Sequence, residues 1–551
     1  MPRTFAATCA ALNGTDISPL EVAASARQAD PVRARLAEDA VQRMSASVRL
    51  REKLVADEIP VYGVTTGFGD SCTRQISSAK AHDLQRSLVL YHLNGVGPTA
   101  SPAVARASML IRANTLARGV SGIRPEVVST LLACLERDLL PLIPERGSVG
   151  ASGDLVPLCY LAAALIGEGD VLHRGVRRPA QEALQREGIA PVRLAPKEGL
   201  ALINGTSFTT AYAVLAMWDA RELVVAAELA TAMAMETLRG NRSALHPFIH
   251  QHKPHPGQVA AARDIAALLE GSRLCTSFGQ VLAQRERLGG RGYLQLGERV
   301  QDRYSLRCAP QLVGFVRDTL AWVENWLAIE INSATDNPLF DAENSELHLG
   351  GNFYAGHVGQ AMDSLKVAVA GLANLLDRQL ALLVDEKSSN GLPPNLIVAR
   401  DPRDPEAGMH HGFKGMQIAA SAITAEALKL ANPATVFSRS TEAHNQDVVS
   451  MGTIAARDAR TINGLVREVA AVHLIALAQG IELRGLDQAS PAVRSAHALI
   501  REHSALVTAD RRLDRDIEAV IGLVESGALR RAVGLSDDDV IAGRDLADAL
   551  A

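Results

Sequence analysis

The segment Ala211-Tyr-Ala-Val-Leu-Ala-Met-Trp-Asp-Ala-Arg-Glu-Leu-Val-Val-Ala-Ala-Glu-Leu-Ala-Thr-Ala-Met-Ala-Met-Glu-Thr-Leu238 is rich in Ala and Leu, with apolar residues at three- and four-residue spacing, which is the period of a helix. It is the longest apolar region of the chain, yet it carries Asp219, Arg221, Glu222, Glu228 and Glu236. A lipid-facing helix would not tolerate that many charges, so the segment reads as a buried bundle helix and not as a membrane span. The same pattern recurs over 311–332, 357–384 and 416–431. A mostly α protein follows, with a long central helical bundle over 205–485.

Outside the bundle the texture changes. Up to about residue 204 the chain is broken often, at Gly63 to Gly69, Gly95 to Pro98, Pro141 to Pro144 and Gly147 to Gly153, which predicts a loop-rich N-terminal domain of short helices. A C-terminal helical segment, 486–551, begins near Ser490-Pro491, contains amphipathic stretches over 492–505 and 513–525, and offers Ser536 before Asp537 to Asp539 as an N-cap. Hydrophobic residues make up 47% of the chain and aromatics only 4%, a balance that suits close-packed helices better than an aromatic-rich sandwich. The net charge of −5 leaves no excess to hold a phosphate backbone or an anionic membrane. Nucleic acid and membrane are therefore not expected partners. The six cysteines lie far apart with no C-x-x-C pair, and Met1 to Gly14 lacks a basic region followed by an apolar run. Both features lead us to expect a cytoplasmic protein with reduced thiols.

Gly147-Ser-Val-Gly-Ala-Ser-Gly-Asp-Leu-Val-Pro157 is a run of small residues leading into the apolar stretch Leu158 to Ile166. Composition alone reads it as a tight loop with Ser152 or Asp154 capping the next helix. Chemistry offers a second reading. In a loop held bent, the amide nitrogen of Gly153 can attack the carbonyl of Ala151, because glycine has no Cβ to block the approach. Loss of one water closes a five-membered ring, and loss of a second from Ser152 leaves an exocyclic methylene, giving 4-methylideneimidazole-5-one.

That segment resembles the signature of the histidine, phenylalanine and tyrosine ammonia-lyases, in which Ala-Ser-Gly forms this electrophile. Further motifs match in the same order: Tyr62-Gly-Val-Thr-Thr-Gly-Phe-Gly69, Leu202-Ile-Asn-Gly-Thr206, Val300-Gln-Asp-Arg-Tyr-Ser-Leu-Arg307, Thr335-Asp-Asn-Pro338, Gly350-Gly-Asn-Phe353 and His444-Asn-Gln-Asp447. Any one of them is weak, but together they span most of the chain. The resemblance implies an aspartase/fumarase-like helical architecture, a homotetramer with each site built from three subunits, and elimination of ammonia from an L-aromatic amino acid. An aspartase/fumarase-type lyase without a modified backbone and a non-catalytic helical scaffold are the competing readings.

Residue by residue, the resemblance makes Tyr62 the general base for the substrate's β-proton. A phenol of pKa roughly 10 needs its anion stabilised for that task, and helix N-termini aimed at the site would lower it. The glycines through Gly69 would let the loop act as a lid. Asn204 would hold the electrophile's oxygen, Tyr304 and Gln301 would line the site, and Arg307 would fork onto the substrate carboxylate with help from Asn337. Spacing puts Gln301, Tyr304 and Arg307 on one face of a helix if the segment is helical. Phe353 would be a pocket wall. His246, His250, His252 and His255 invite a zinc reading, but Pro247, Pro254 and Pro256 break the helix that metal spacing needs, and no metal is expected.

The substrate ring is expected near Leu88-Val-Leu-Tyr-His-Leu-Asn-Gly-Val-Gly97. In the family, tyrosine lyases tend to show His-Leu there, phenylalanine lyases Phe-Leu and histidine lyases Ser-His. An ungapped register presents Tyr91-His92, and a one-residue shift presents His92-Leu93. Either places a hydrogen-bonding group at the far end of the ring. Gln446 stands where histidine lyases carry Glu. L-Tyrosine, giving trans-p-coumarate, is the first expectation; phenylalanine or a mixed specificity, then histidine or a 2,3-aminomutase reaction, are the alternatives. The chain lacks the long C-terminal insertion of eukaryotic phenylalanine lyases and resembles the compact bacterial form.

Overall fold

The computed structural model describes residues 9–283, 287–296 and 299–535. The Ser536 cap signal lies outside them. Its spine is the Ser207–Thr237 helix, in which every residue except Trp218 is buried. Around it pack the Ala309–Ile331, Gly356–Val384 and Gly452–Arg484 helices. The first three coincide with the apolar stretches seen in the sequence to within a few residues. The Lys414–Leu430 helix lies on the outside of this bundle, burying only Met416, Ala420, Thr424 and Ala427. Gly356–Val384 and Gly452–Arg484 are long and apolar enough to cross a membrane, but 61% and 83% of their most apolar windows are buried within the protein. They are core helices.

The charges that argued against a membrane have partners in the core. Asp219 meets Arg27 at 2.8 Å, Arg467 at 3.4 Å and Arg460 at 3.5 Å. Glu222 takes Arg530 at 3.1 Å, and Glu236 accepts the Ser490 N–H at 2.7 Å. Glu228 is fully buried and receives a two-pronged contact from Arg317, 2.7 Å to each oxygen, while the same guanidinium reaches Asp264 at 2.6 Å. These pairs fasten the spine to the Ala309, Gly452 and C-terminal helices at fixed heights, since a buried charge without its partner is costly.

The N-terminal region is built of shorter helices, among them Ala81–Tyr91, Pro102–Leu116 and Leu155–Leu165, with small two- and three-stranded ribbons between them. One of these pairs Val96–Thr99 antiparallel with Pro144–Arg146 and so brings the Tyr91 end of its helix to the mouth of the Gly147 loop. A continuous apolar core runs from Leu12 to Leu529. C-terminal helices at Pro491–Arg501 and Asp514–Glu525 pack on it where the amphipathic stretches were expected.

Replacing Arg317 by Met leaves Glu228 and Asp264 buried without a cation. Denaturant titration of Arg317→Met is expected to show a loss of about 3–5 kcal/mol, and a loss below about 1 kcal/mol would contradict the structural weight given to this pair.

Candidate active site

The Gly147–Pro157 segment is a bent loop leading into the Leu155–Leu165 helix. Asp154 precedes that helix but does not cap it with its side chain. Its carboxylate instead accepts from the Thr209 N–H at 2.7 Å and the Thr209 hydroxyl at 2.6 Å, which caps the neighbouring Ser207–Thr237 helix. Thr453, in the first turn of the Gly452–Arg484 helix, donates to the same carboxylate at 2.9 Å and lies 3.0 Å from the Ser148 hydroxyl. The start of the Gly356–Val384 helix closes in behind, because a Cβ on Gly452 would stand 3.2 Å from both Ala355 and Thr209. Helix N-termini thus converge on this loop, each contributing the positive end of its dipole.

The loop backbone is gripped on both sides. Ser152 has φ +51° and Gly153 φ +76°. A Cβ on Gly153 would stand 2.1 Å from the Gly205 carbonyl oxygen, and one on Gly150 would stand 2.0 Å from the Ser450 hydroxyl. Gly153 pairs with Gly205, and the Asp154 N–H donates to the Gly205 carbonyl at 2.7 Å. Asn204, which ends the Glu198–Ile203 helix, donates from Nδ2 to the Ser152 carbonyl at 2.9 Å. Its own Oδ1 is buried without a hydrogen-bond partner among the described residues. Arg112, fully buried, holds the main-chain carbonyls of Ala201 and Asn204 and the Thr335 hydroxyl. Next to it Lys197 and Asp336 form a buried ion pair at 2.6 Å, and Asp336 accepts the Asn337 N–H at 2.7 Å. Asn337 and Asn204 are therefore carried by one polar network. The Asn337 side chain accepts from the Gly350 N–H at 2.8 Å. Phe353 is half-buried just ahead of the Gly356–Val384 helix.

A single turn joins this loop to the Tyr62 loop. Gln446, paired across the turn with Thr441, donates from Nε2 to the Ser152 hydroxyl at 3.2 Å. Glu442, on the same turn, accepts from the Asp70 N–H at 3.0 and 3.1 Å and lies where a Cβ on Gly69 would fall, 2.3 Å from its carboxylate oxygen. Gly69 has φ +55° and donates its N–H to the Tyr62 hydroxyl at 2.9 Å. Gln85 anchors the other end, donating to the Gly63 carbonyl at 2.8 Å and accepting from the Leu200 N–H at 3.0 Å. Glu442 was not among the residues singled out in the sequence. It adjoins the His444 motif, but nothing in its spacing announces contact with a loop 372 positions away.

Two expectations need correction. The Tyr62 phenol is not lowered: burial pushes it above the usual tyrosine range, with nearby Cys72 and Glu442 adding to the rise and only the Gly69 N–H opposing it. The helix N-termini that were to lower it are directed at Asp154 and the Ser152 loop. Nor do Gln301, Tyr304 and Arg307 share one helical face, because the helical turn comprises only Tyr304–Arg307 and Arg303 before it is extended. Arg307 lies over the Tyr304 ring at 4.6 Å and donates to the Asp302 carbonyl at 3.0 Å. With Gln301 it lines a cleft of about 250 Å³. That cleft is far from Ser152 within the chain. The Ser305 carbonyl is bridged by Gln379 to Thr231, whereas the Ser152 loop is at Thr209, and the helix between Thr209 and Thr231 spans roughly 33 Å.

Tyr91 and His92 end the Ala81–Tyr91 helix with their rings 4.2 Å apart. Burial, with Cys159, Tyr62 and Glu442 nearby, pushes the Tyr91 phenol up to about 12. Burial lowers His92, which is neutral at pH 7, and its Nδ1 faces the Leu88 carbonyl at 3.0 Å. Since a carbonyl only accepts, Nδ1 carries the proton and Nε2 is an acceptor. Leu93 packs on the core. Three of the four histidines weighed as a zinc set make local side-chain contacts: His246 with the Phe248 N–H, His250 with the Ala244 carbonyl and Gln258, and His252 with the Phe248 carbonyl.

Residues 17–502 match the family described as aromatic amino acid lyase. The chain belongs to that family. A histidine ammonia-lyase of Symbiobacterium thermophilum is 41% identical over 520 residues, covering 94% of this chain and 97% of that one. Among solved structures, a tyrosine aminomutase from Streptomyces globisporus superposes with a TM-score of 0.91 at 36% identity, covering 96% and 98% of the two chains. A histidine ammonia-lyase from Trypanosoma cruzi superposes with a TM-score of 0.86 at 32% identity, covering 97% of each. The protein is a carbon–nitrogen lyase with the aspartase/fumarase-like helical fold.

Glu442 opposes ionisation of Tyr62, so Glu442→Gln is expected to move the rising limb of the pH–rate profile to lower pH. An unchanged limb would separate the two groups functionally.

Proposed function

We propose that this lyase eliminates ammonia from L-tyrosine to give trans-p-coumarate, using a 4-methylideneimidazole-5-one group formed from Ala151, Ser152 and Gly153. The observation that carries the substrate choice is His92, whose Nδ1 is engaged by the Leu88 carbonyl, so that a neutral ring presents Nε2 as an acceptor beside the Tyr91 ring. A para-hydroxyl donates to such an acceptor, and leaving the pair unsatisfied against phenylalanine costs on the order of 1 to 3 kcal/mol. Gln446 adds to this, because an amide at the Ser152 hydroxyl suits an imidazole substrate less well than a carboxylate would.

The residues present fit the prosthetic group. Gly153 holds a left-handed conformation that only glycine takes without strain, in a cradle that a Cβ would fill. Asn204 supplies a donor at the Ser152 carbonyl. When formed, the group supplies an electrophilic methylene carbon that no side chain offers. Around it Tyr62 removes the β-proton, and the raised phenol makes the reaction faster as pH climbs toward its ionisation. Arg307 and Asn337 hold the carboxylate, Tyr304 and Gln301 line the site, and Phe353 walls it. No metal takes part in this reading.

Because Tyr304 and Arg307 are at the far end of the bundle from Ser152, we assign them to the sites of other copies in a homotetramer with shared active sites. The apolar side chains exposed on the bundle, among them Ile329, Val367, Ile418 and Val436, suit burial between copies. With six unpaired cysteines, we place the protein in the reducing cytoplasm. Histidine is the second reading, favoured by the names of relatives at about 41% identity.

Turnover of tyrosine, phenylalanine and histidine measured side by side is expected to favour tyrosine, with free arylacrylate and no β-amino acid as product. Histidine turned over equally well or better would overturn the substrate choice. Intact mass is expected to fall two waters short on the peptide containing Ala151 to Gly153. Ser152→Ala should abolish both the deficit and activity while preserving assembly; an unmodified mass in active enzyme would contradict the prosthetic group.

A further inference from the structure

Three long helices each place one polar side chain in the middle of the apolar bundle: Thr231, Gln379 and His473, all 0% exposed. His473 Nε2 lies 3.2 Å from Gln379 Oε1, and Gln379 Nε2 lies 3.0 Å from the Thr231 hydroxyl and 2.9 Å from the Ser305 main-chain carbonyl. Ser305 follows Tyr304 in the turn that also carries Arg307. Polar groups in such a core are unfavourable unless they are satisfied, and the Gln379 amide completes its bonding by reaching out to Ser305.

The direction of every bond follows from that last contact. A main-chain carbonyl cannot donate, so the Gln379 group facing Ser305 is its NH2. Oε1 then faces His473, and His473 must present an N–H from Nε2. The other ring nitrogen, Nδ1, has no hydrogen-bond partner among the described residues, as expected of the bare nitrogen of a neutral ring. Burial holds this histidine down to about 3, so it does not titrate near neutrality. Its single N–H and the Ser305 carbonyl thus select the same orientation of the Gln379 amide. An amide reversed by 180° would set its oxygen against the Ser305 carbonyl and repel it.

We infer that Gln379, oriented by His473, is a positioning residue that fixes the Tyr304–Arg307 turn for substrate binding. The flanking contacts, Asp302 with the Asn241 N–H at 2.6 Å and Arg303 with Ser388 at 3.1 Å, hold residues before the turn; the Gln379 amide grips the turn itself. This inference rests on reading Tyr304 and Arg307 as substrate-side residues.

His473→Leu removes the donor that orients Gln379. The KM for whichever of tyrosine, phenylalanine and histidine is turned over fastest is expected to rise on the order of tenfold or more, and kcat to fall less. Assembly and the two-water mass deficit should be unchanged. His473→Asn, which returns an N–H donor, is expected to restore KM. A KM unchanged in folded His473→Leu, or raised there and not restored by Asn, would overturn the proposal. Should His473→Leu fail to assemble, the double variant Gln379→Met/His473→Leu leaves neither partner of the His473–Gln379 bond unpaired and is expected to carry the same KM defect; a normal KM in it would equally overturn the proposal. Arg307→Lys separates this from the reading beneath it. If Arg307→Lys leaves KM unchanged the substrate-side assignment fails, whereas a raised KM there with a normal one in His473→Leu overturns the positioning role alone.

Discussion

The buried carboxylate of Asp154 is the constraint on which the site depends. It accepts the Thr209 N–H, the Thr209 hydroxyl and the Thr453 hydroxyl, so the starts of two long helices are pinned to the loop that begins a third. Burial raises this acid while the hydrogen bonds lower it, and burial prevails. The carboxylate therefore belongs to a closed network and not to solvent, and the network leaves the adjoining backbone little freedom. Ser152 and Gly153 are held in left-handed conformations against the Asn204–Gly205 segment, where the proposed ring closure would have its reacting atoms brought together beforehand.

From that anchor the polar network spreads in two directions. On one side Arg112, Lys197 and Asp336 bind the Asn204 and Asn337 segments together from beneath. On the other, the Thr441–Gln446 turn touches Ser152 with one residue and the Tyr62 loop with another. The remaining candidates are at the opposite end of the bundle, held by a separate buried network through Gln379. A long helix fixes both ends at once, so in the proposed reading one chain offers an electrophile half-site at one end and the Tyr304–Arg307 half-site at the other. Packing chains side by side in opposite directions would bring unlike ends together, which is how the length of the bundle becomes a functional dimension.

The sequence displayed the bundle clearly, because apolar period and length are local properties: 311–332 and 357–384 became Ala309–Ile331 and Gly356–Val384. Gly452–Arg484, with Gly452, Gly464 and Gly480 and several charges along it, was folded into the general 205–485 bundle and not distinguished. The family was legible through the loop motifs, but the contacts of the loop residues were not. Asp154 looked like a cap for its own helix and caps another. Gln301 looked like a helical neighbour of Tyr304 and lies before the turn begins. Tyr62 was expected to be acidified by helix ends that turn out to serve Asp154. The Asp154 contacts join positions 55 and 299 residues apart, and periodicity contains no term for them.

The central claim is that the two half-sites of one chain serve different active sites. It is tested most directly by co-assembling two inactive variants, Ser152→Ala and Arg307→Ala, and measuring turnover of the mixed oligomer. If sites are shared, a Ser152 loop from one chain meets an intact Arg307 from another, and activity returns well above either parent alone. Mixed oligomers as inactive as their parents would contradict the account.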